Sequence, residues 1–349
     1  MIYTQQSNLP IIFQVDEGII LDVAYYLKRN NLAFPKVLVV SGKNHSFHYA
    51  KQIAALNNWI NYTIDDNTFK VVEDLKNYIN SNNIDLLIGV GGGKVIDTVK
   101  RASYLSNTNN LSIPTIISND GLISPVAVIK NETGKTDSLP GMMPMGVIID
   151  LDVIKESPTK YLEAAVGDVF SNLSATNDWV CAFKEEKERM NDVAFHLAKG
   201  AANSLVNFGD IDLKAKPFLR LLVQGLVNSG ISMSLAGTSR PCSGSEHMLS
   251  HAIDFLGLAP NVLHGQQVGA LNIFTLFLQN KLKKDHLKFA QEANIPFDFT
   301  SFLEDKSETQ LKAMFHKAKE MRPGRYTILN QLTEVKFLDE LKKFQKTIS

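Results

Sequence analysis

Three histidines and one aspartate in this chain have the residue types and spacing of a metal centre. His247 and His251 are four residues apart, so they share one face if this stretch is helical. His264 precedes a glycine, and Asp168 follows a glycine inside a helical pattern. Two imidazoles and a carboxylate suit Zn²⁺, Fe²⁺ or Ni²⁺, and three protein ligands leave coordination positions for a substrate. The set therefore predicts a catalytic metal site.

A structural role is the alternative for these histidines. Side chains that only fill or cap a helix interface would show the same four-residue spacing. The three histidines lie in stretches rich in serine, glycine and apolar residues, which favours the metal site. Whether Asp168 meets them in space is a question for the tertiary structure.

A second candidate site is the glycine run at 91–93, which follows an apolar run and opens a helical pattern. Glycines let a ligand approach the backbone closely, because no Cβ is in the way. The free amides at the start of a helix attract an anion, and a pyrophosphate is the natural one. The run lacks the third glycine of the common dinucleotide fingerprint and the Gly-Lys-Ser/Thr of a P-loop. The alternative is a tight turn that only packs a helix against a sheet.

The elements that must position these residues change character near residue 150. The first part alternates short apolar runs with amphipathic helical patterns. Its predicted strands cover residues 37–40, 60–64, 86–90, 113–117, 126–129 and 147–149, and its predicted helices cover 71–79 and 95–105. This alternation predicts a parallel sheet wrapped by helices, with ligands beyond the carboxyl ends of the strands.

Long helical patterns fill the rest of the chain, and no strand pattern appears there. They cover residues 161–183, 193–205, 217–235 and 268–282. We therefore predict an α/β domain over residues 1–150, followed by an all-α domain over residues 151–349.

Composition excludes several classes of protein. Hydrophobic residues make up 44% and charged residues 21%, as in a globular protein, and 36 Lys and Arg balance 36 Asp and Glu. There is thus no net basic charge to attract nucleic acid or an acidic membrane. Two cysteines do not make a disulfide scaffold. Since no run reaches the roughly 18 apolar residues of a membrane span and the start lacks a secretory signal, we expect a cytoplasmic protein.

Six separated motifs occur in an order that resembles a known family. They are residues 91–97 (GGGKVID), 115–125 (TIISNDGLISP), 165–168 (AVGD), 239–247 (SRPCSGSEH), 263–265 (LHG) and 322–329 (RPGRYTIL). This order resembles the sn-glycerol-1-phosphate dehydrogenases, within the superfamily of iron-containing alcohol dehydrogenases, glycerol dehydrogenases and dehydroquinate synthases. Several motifs in one order make the resemblance more specific than any single motif.

The resemblance implies a Rossmann-like dinucleotide-binding domain, a helical metal- and substrate-binding domain and a cleft between them, as in the dehydroquinate synthase-like fold. By similarity one divalent ion (Zn, Ni or Fe) would bind Asp168, His247 and His264. The predicted catalytic residues, in contact with substrate, would be Asp168, His251 and Asp120. NAD or NADP would lie against Gly92, Gly93, Lys94, Asp97, Thr115, Ser118 and Ser124.

The activity that the resemblance implies is reduction of dihydroxyacetone phosphate to sn-glycerol 1-phosphate. The nicotinamide would give the hydride, and the metal would polarise the carbonyl. His251 would relay a proton or bind a hydroxyl, with helix packing as its alternative role. Arg240 or Arg325 would hold the phosphate unless both are surface residues, since a planar guanidinium matches phosphate oxygens. The expected partner is a small phosphorylated polyol, and a homo-oligomer is compatible with the resemblance.

The sequence leaves the substrate and the cofactor preference open. Leu122 stands where the family pattern has a smaller residue. Three alternatives stay open: a dehydrogenase of an unphosphorylated polyol or alcohol, a dehydroquinate synthase-like cyclase, and a nucleotide-binding regulator, against which the retained metal ligands argue. Lys43 would favour the extra phosphate of NADP, whereas Asp65 and Asp66 would hold the free ribose hydroxyl of NAD.

Overall fold

The computed structural model describes residues 9–132 and 134–348, which form two compact units that divide between Pro158 and Thr159. The first eight residues, where the sequence predicts no secretory signal, lie outside the described residues. The predicted order of an α/β unit followed by a helical unit is confirmed.

The first unit alternates strands and helices. Its strands are β1 (Ile12–Asp16), β2 (Val37–Gly42), β3 (Ile60–Ile64), β4 (Leu86–Gly91), β5 (Asn109–Pro114), β6 (Val126–Lys130), β7 (Thr136–Pro140) and β8 (Gly146–Asp150). Its helices are α1 (Val23–Arg29), α2 (His45–Asn57), α3 (Phe69–Asn82), α4 (Gly93–Ser106) and α5 (Leu151–Lys155), with a short 3₁₀ helix at Asp120–Leu122. The predicted strands at 37–40, 60–64, 86–90 and 147–149 and the predicted helices at 71–79 and 95–105 lie inside these elements.

Six of these strands form one parallel sheet in the order β1-β8-β5-β4-β2-β3. β4 lies between β5 and β2, and every one of its residues is buried. A strand that is covered on both faces is apolar along its length, which explains the continuous hydrophobic run at 86–90. The glycine run follows β4 and therefore lies at the carboxyl edge of the sheet, where such folds bind ligands.

Two strand predictions are corrected by the structure. The run at 113–117 is predicted as a strand, but β5 ends at Pro114 and is followed by a loop. β6 contains the predicted strand at 126–129, yet it lies outside the parallel sheet and pairs antiparallel with β7. Burial alternates between half-buried and exposed along β7, which explains why that strand has no continuous apolar signal in the sequence.

The second unit is helical, and its described residues contain no strand. Its helices are α6 (Thr159–Lys184), α7 (Asp192–Val206), α8 (Lys216–Ala236), α9 (Ser245–Leu256), α10 (His264–Leu278), α11 (Lys284–Glu292), α12 (Glu308–Met321) and α13 (Glu334–Ile348). By length and composition alone α8 could cross a membrane. The expectation that no segment is apolar enough for a membrane span therefore does not hold for this helix. However, 61% of its most apolar stretch is buried inside the protein, as in a core helix of a bundle.

The helices α6 and α10 approach each other backbone to backbone. A Cβ built on Gly167 would lie 2.1 Å from the carbonyl oxygen of Gly265, and a Cβ on Gly265 would lie 2.0 Å from a carbonyl oxygen of α6. A Cβ on Gly269 would lie 2.8 Å from the Cα of Gly167. Side chains do not fit at these separations, so glycine is a condition of the contact. Asp168 and His264, the sequence neighbours of two of these glycines, therefore lie on helices in close contact.

Gly167→Ala is predicted to destabilise the second unit. Its methyl group would force α6 and α10 apart, and overpacking of this kind costs about 1–3 kcal/mol. Gly200→Ala in α7 is the matched control, because a Cβ there meets nothing within 4 Å and alanine favours a helix. Urea unfolding of the two variants measures the difference. Equal midpoints would contradict the close helix contact.

Candidate metal centre and cofactor-binding turn

Three helices of the second unit bring the predicted metal ligands together. Asp168 comes from α6, His247 from the first turn of α9, and His264 is the first residue of α10. One ligand atom from each residue lies within 4.8 Å of the others. His247 Nε2 is 3.9 Å from Asp168 Oδ1, and the ring centroids of His247 and His264 are 5.0 Å apart. The aspartate that the sequence leaves unplaced thus lies beside both histidines.

The ring of His247 is oriented by a buried carboxylate. Its Nδ1 lies 2.9 Å from Oε1 of Glu246, a residue with no solvent exposure. The same oxygen accepts a hydrogen bond from the backbone amide of Gly244 at 2.6 Å, and Glu246 Oε2 accepts one from the Ser174 hydroxyl at 2.8 Å. Because Oε1 acts as an acceptor, His247 Nδ1 carries the proton. The lone pair of Nε2 is then left for a metal.

The ring of His264 is oriented by a chain of hydrogen bonds that runs through Ser250 and Gln267 to Asp254. Its Nδ1 lies 3.1 Å from Ser250 Oγ, which donates its only proton to Gln267 Oε1 at 2.8 Å. Gln267 Nε2 in turn donates to Asp254 Oδ1 at 2.9 Å. The serine oxygen must therefore accept from His264 Nδ1, and the lone pair of His264 also lies on Nε2.

These residues fit a divalent transition metal. Two Nε2 lone pairs and one carboxylate make up a nitrogen and oxygen donor set of the kind that binds such ions. Hydrogen bonds from the second ring nitrogen to a carboxylate or other acceptor are the usual way in which proteins orient metal-binding histidines. Burial, followed by the charges of His247 and His251, also holds the pKa of His264 well below its usual range, so the ring is neutral, as a ligand must be.

A second buried carboxylate, Asp178 of α6, supports the start of α9. Its Oδ2 accepts hydrogen bonds from the amide and hydroxyl of Ser245 at 2.7 and 2.6 Å. Its Oδ1 accepts from the Gln279 side chain and the Ile328 amide, both at 2.9 Å. Burial, together with the charge of Glu246, raises the pKa of Asp178 to about 6. Neither acid is among the residues predicted from the sequence. Glu246 could have been found because it adjoins His247, whereas Asp178 has no local signal in the sequence.

His251 lies next to the three candidate ligands but is not part of that set. Its ring stacks on His264 with centroids 5.6 Å apart and an interplanar angle of 21°, and its centroid is 6.3 Å from that of His247. Burial, and next the charge of His247, lowers the pKa of His251 to about 3. Its imidazole is therefore neutral near pH 7.

The glycine run in the first unit contains one glycine that packing requires and two that it does not. A Cβ on Gly91 would lie 2.8 Å from Val95 Cγ2. In contrast, a Cβ on Gly92 would meet only Ile116 at 3.9 Å, and one on Gly93 would meet nothing within 4 Å. Gly92 is the N-cap of α4 and Gly93 its first residue. The chain itself does not need these two glycines, so a ligand at the start of α4 is the better explanation for them.

The other predicted cofactor residues follow the ends of β4 and β5 or lie on α4. The Thr115 amide donates to the Gly91 carbonyl at 3.0 Å, which holds Thr115 beside the turn. Ser118 and Ser124 follow in the loop after β5, and Ser124 is buried. Lys94 Nζ lies 3.2 Å from an oxygen of Asp66. The sequence-predicted residues of this unit are thus distributed around one edge of its sheet.

A buried lysine, Lys100, contacts both Asp97 and the segment around Asp120. It is not among the residues predicted from the sequence. Lys100 has no solvent exposure, and its Nζ lies 2.8 Å from Asp97 Oδ1. It also donates to the carbonyl oxygens of Gly121, Ser124 and Val126. Burial raises the pKa of Asp97, and the charge of Lys100 opposes the shift. Asp97 therefore has a structural partner whether or not it contacts a cofactor.

Asp120 begins the short 3₁₀ helix at Asp120–Leu122. The side chain of Asn119 caps this helix, since its Oδ1 accepts from the Gly121 amide at 2.9 Å. Leu122, which departs from the family pattern, is buried with 5% exposure. The position of Asp120 is therefore set by backbone structure, and Leu122 is not presented to solvent.

Comparison with known proteins gives matches along the whole chain. A family model described as iron-containing alcohol dehydrogenase matches residues 14–158. A glycerol-1-phosphate dehydrogenase [NAD(P)+] of Thermococcus sibiricus is 35% identical over 298 residues, which is 85% of this chain and 83% of the relative. A relative of the same name in Pyrococcus horikoshii is 34% identical over 322 residues, 90% of this chain and 91% of its own.

Solved structures of more distant proteins share the fold. A probable glycerol dehydrogenase from Sinorhizobium meliloti superposes with a TM-score of 0.79 at 18% identity, covering 98% of this chain and 99% of that one. The glycerol dehydrogenase of Schizosaccharomyces pombe gives a TM-score of 0.80 at 16% identity, covering 98% and 91%. At such identities the likeness shows the fold alone. The resemblance that the motifs indicate is confirmed by the sequence relatives: the chain belongs to the glycerol-1-phosphate dehydrogenase family.

Proposed function

We propose that this protein reduces dihydroxyacetone phosphate to sn-glycerol 1-phosphate with NADH or NADPH. The observation that carries the proposal is the convergence of Asp168, His247 and His264, with both imidazoles oriented by buried partners. The names of the relatives in Thermococcus sibiricus and Pyrococcus horikoshii support the choice of substrate and cofactor.

The contribution of the chain to this chemistry is positioning. A divalent metal ion held by the three ligands would supply a Lewis acid, and reduced nicotinamide would supply the hydride. Because His247 and His264 are held through Nδ1, their Nε2 atoms stay directed at the shared site with Asp168. The neutral ring of His251 has one donor and one acceptor nitrogen, which suits it to bind a substrate hydroxyl. Zn, Ni and Fe remain the candidate metals, since nitrogen and oxygen donors suit all three.

We further propose that both dinucleotides are accepted. The pyrophosphate would lie on the free amides at the start of α4, where Gly92 and Gly93 leave space. The acidic residues that would select NAD are already partnered: Lys43 pairs with Asp65 at 2.5 Å, and Asp66 binds Lys94 and Lys130. The hydrogen bond from Lys130 is the main reason why the pKa of Asp66 is lowered to about 2. Carboxylates neutralised in this way repel an additional phosphate less.

On this proposal the first unit is the dinucleotide-binding domain, and the second unit binds metal and substrate. The cytoplasmic location and the absence of nucleic-acid and membrane partners stay predictions from the sequence, and a homo-oligomer stays compatible with the resemblance.

The proposed metal site predicts the metal content of the protein and which histidine variant loses both metal and activity. The purified protein should carry about one divalent transition metal per chain, and chelation should abolish its activity. His264→Ala should lose the metal and more than about 100-fold of the activity while it keeps its fold. His196→Ala, at an exposed histidine of α7, should change neither. Elemental analysis that finds no metal in active enzyme would refute the site.

The glycine turn predicts a loss of affinity without a loss of stability. Gly93→Val fills space that is open in the protein, so it should weaken NADH binding by about tenfold or more, which is ~1.4 kcal/mol. Gly200→Val, also helical, exposed and open, is the matched control. Fluorescence titration with NADH and urea unfolding separate the two effects. A Gly93→Val protein that is less stable than Gly200→Val but binds NADH normally would make the turn purely structural.

The substrate assignment predicts a strong preference for the phosphorylated ketone. A phosphate held by charged donors contributes enough binding energy that its removal should cost about two to three decades of kcat/KM. Steady-state kinetics with dihydroxyacetone phosphate and dihydroxyacetone, followed by chiral analysis of the product, measures this. Equal efficiency on the two ketones would move the assignment to a glycerol dehydrogenase. A phosphorylated product of the opposite hand would refute the named reaction.

A further inference from the structure

A tight turn after α12 carries an arginine at each end. Residues 322–325 read Arg-Pro-Gly-Arg, and the Arg325 amide donates to the Arg322 carbonyl at 3.1 Å. Gly324 has a φ of +80°, which is the conformation that a type II turn requires at its third position, and proline is favoured at the second. The turn is therefore rigid, and it fixes where the backbone of Arg322 lies.

Two arginines of this unit, Arg325 and Arg240, link that turn by hydrogen bonds to the segment that leads into α9. Arg325 donates to the Ser243 carbonyl at 2.6 Å and to the Ser239 hydroxyl at 3.0 Å. In the opposite direction Arg240, which is 1% exposed, donates to the carbonyl of Tyr326 and pairs with Glu188 at 2.5 Å. These guanidinium groups, which the sequence suggests as phosphate ligands, thus have protein partners that hold the turn beside the start of α9.

Arg322 differs from both, because its guanidinium has no such partner among the described residues. Its Nε is buried and has no hydrogen-bond acceptor within the described part of the chain. One nitrogen of Arg240, Nη1, is also buried without an acceptor there. Arg322 and Arg325 stand at the two ends of one turn, and Arg240 donates to Tyr326 beside it, so the three cations form one cluster. Burial, followed by the charges of Arg240 and Arg322, lowers the pKa of Arg325 to about 10. Among the described residues the ion pair with Glu188 is the one carboxylate contact of this cluster, so an anion would complete it.

The turn that carries Arg322 lies beside α9, the helix that holds His247 and His251. α12 packs against α9, and Thr327, just beyond the turn, contacts Met248 next to His247, with 4.0 Å between Oγ1 and Sδ. Burial is the main cause that lowers the pKa values of His251 and His264, and the charge of Arg322 adds to both shifts. The cation therefore lies near the histidines where the carbonyl of the substrate is proposed to bind.

We propose that Arg322 binds the phosphate group of the substrate, while Arg240 and Arg325 hold the turn that presents it. The inference rests on the proposed function, because it assumes a phosphorylated substrate at the Asp168–His247–His264 centre. A guanidinium matches a phosphate dianion in charge and in the geometry of its donors. Phosphate on this side and the ketone on the metal side would orient a three-carbon substrate in one direction.

The test is Arg322→Gln, with Arg220→Gln on the exposed side of α8 as the matched control. We expect kcat/KM for dihydroxyacetone phosphate to fall about 10- to 100-fold, mainly through KM, because one charge-assisted contact is lost. The value for dihydroxyacetone, which has no phosphate, should change less than about twofold. Competitive inhibition by inorganic phosphate should weaken in parallel. Arg220→Gln should behave as wild type in all three assays.

A second variant, Arg322→Lys, tests the same proposal if Arg322→Gln folds poorly. Arg322→Lys retains the charge and the aliphatic stem but lacks the fixed fork of donors, so it should lose several-fold in efficiency on the phosphorylated ketone alone. If either folded variant keeps both the wild-type preference for dihydroxyacetone phosphate and the inhibition by inorganic phosphate, Arg322 is not the phosphate ligand. If the wild-type protein shows no preference between the two ketones, the proposed substrate fails first, irrespective of Arg322.

Discussion

The contact between α6 and α10 is the constraint on which the candidate metal centre depends. Gly167, Gly265 and Gly269 let the two helices touch through their backbones, so no side chain can vary the distance between them. Asp168 and His264 each adjoin one of these glycines. Their separation is therefore fixed by close-packed backbone, which is much less adjustable than a contact between long side chains. A site that needs ligand atoms placed to within tenths of an ångström gains from such a scaffold.

The helix contact fixes the separation of the candidate ligands, and buried polar groups fix the orientation of their rings. Carboxylates such as Glu246 and Asp178 are costly to bury, and each is stabilised by several hydrogen bonds from backbone amides and hydroxyls. Because Glu246 accepts a hydrogen bond from Nδ1, the ring of His247 has one orientation and one tautomer. The hydrogen-bond chain through Ser250 and Gln267 does the same for His264. The two histidines thus reach equivalent states, with Nε2 as the available donor, by different means.

The two units present positive charge to anions in different ways. In the first unit the attraction comes from backbone amides at the start of α4, where open glycines allow a pyrophosphate to approach. In the second unit it comes from guanidinium groups, of which Arg240 and Arg325 are used internally and Arg322 retains a buried nitrogen without an acceptor. Backbone amides suit a cofactor group common to many enzymes. A guanidinium directed from a rigid turn suits selection of one substrate.

The sequence by itself determined the type of the strongly patterned elements, because apolar periodicity reports local burial: the uniform run of β4 and the long patterns of α6 and α8 are readable without a structure. Distinct residue types in a fixed order also indicated the metal ligands and the glycine turn. Only the tertiary structure decided that β6 lies outside the parallel sheet and pairs with β7, that Asp178 and Glu246 support the start of α9, and that Arg322 Nε is buried without an acceptor among the described residues. These features depend on partners far apart in the chain, and hydrogen-bond satisfaction between distant elements leaves no periodic trace in a sequence.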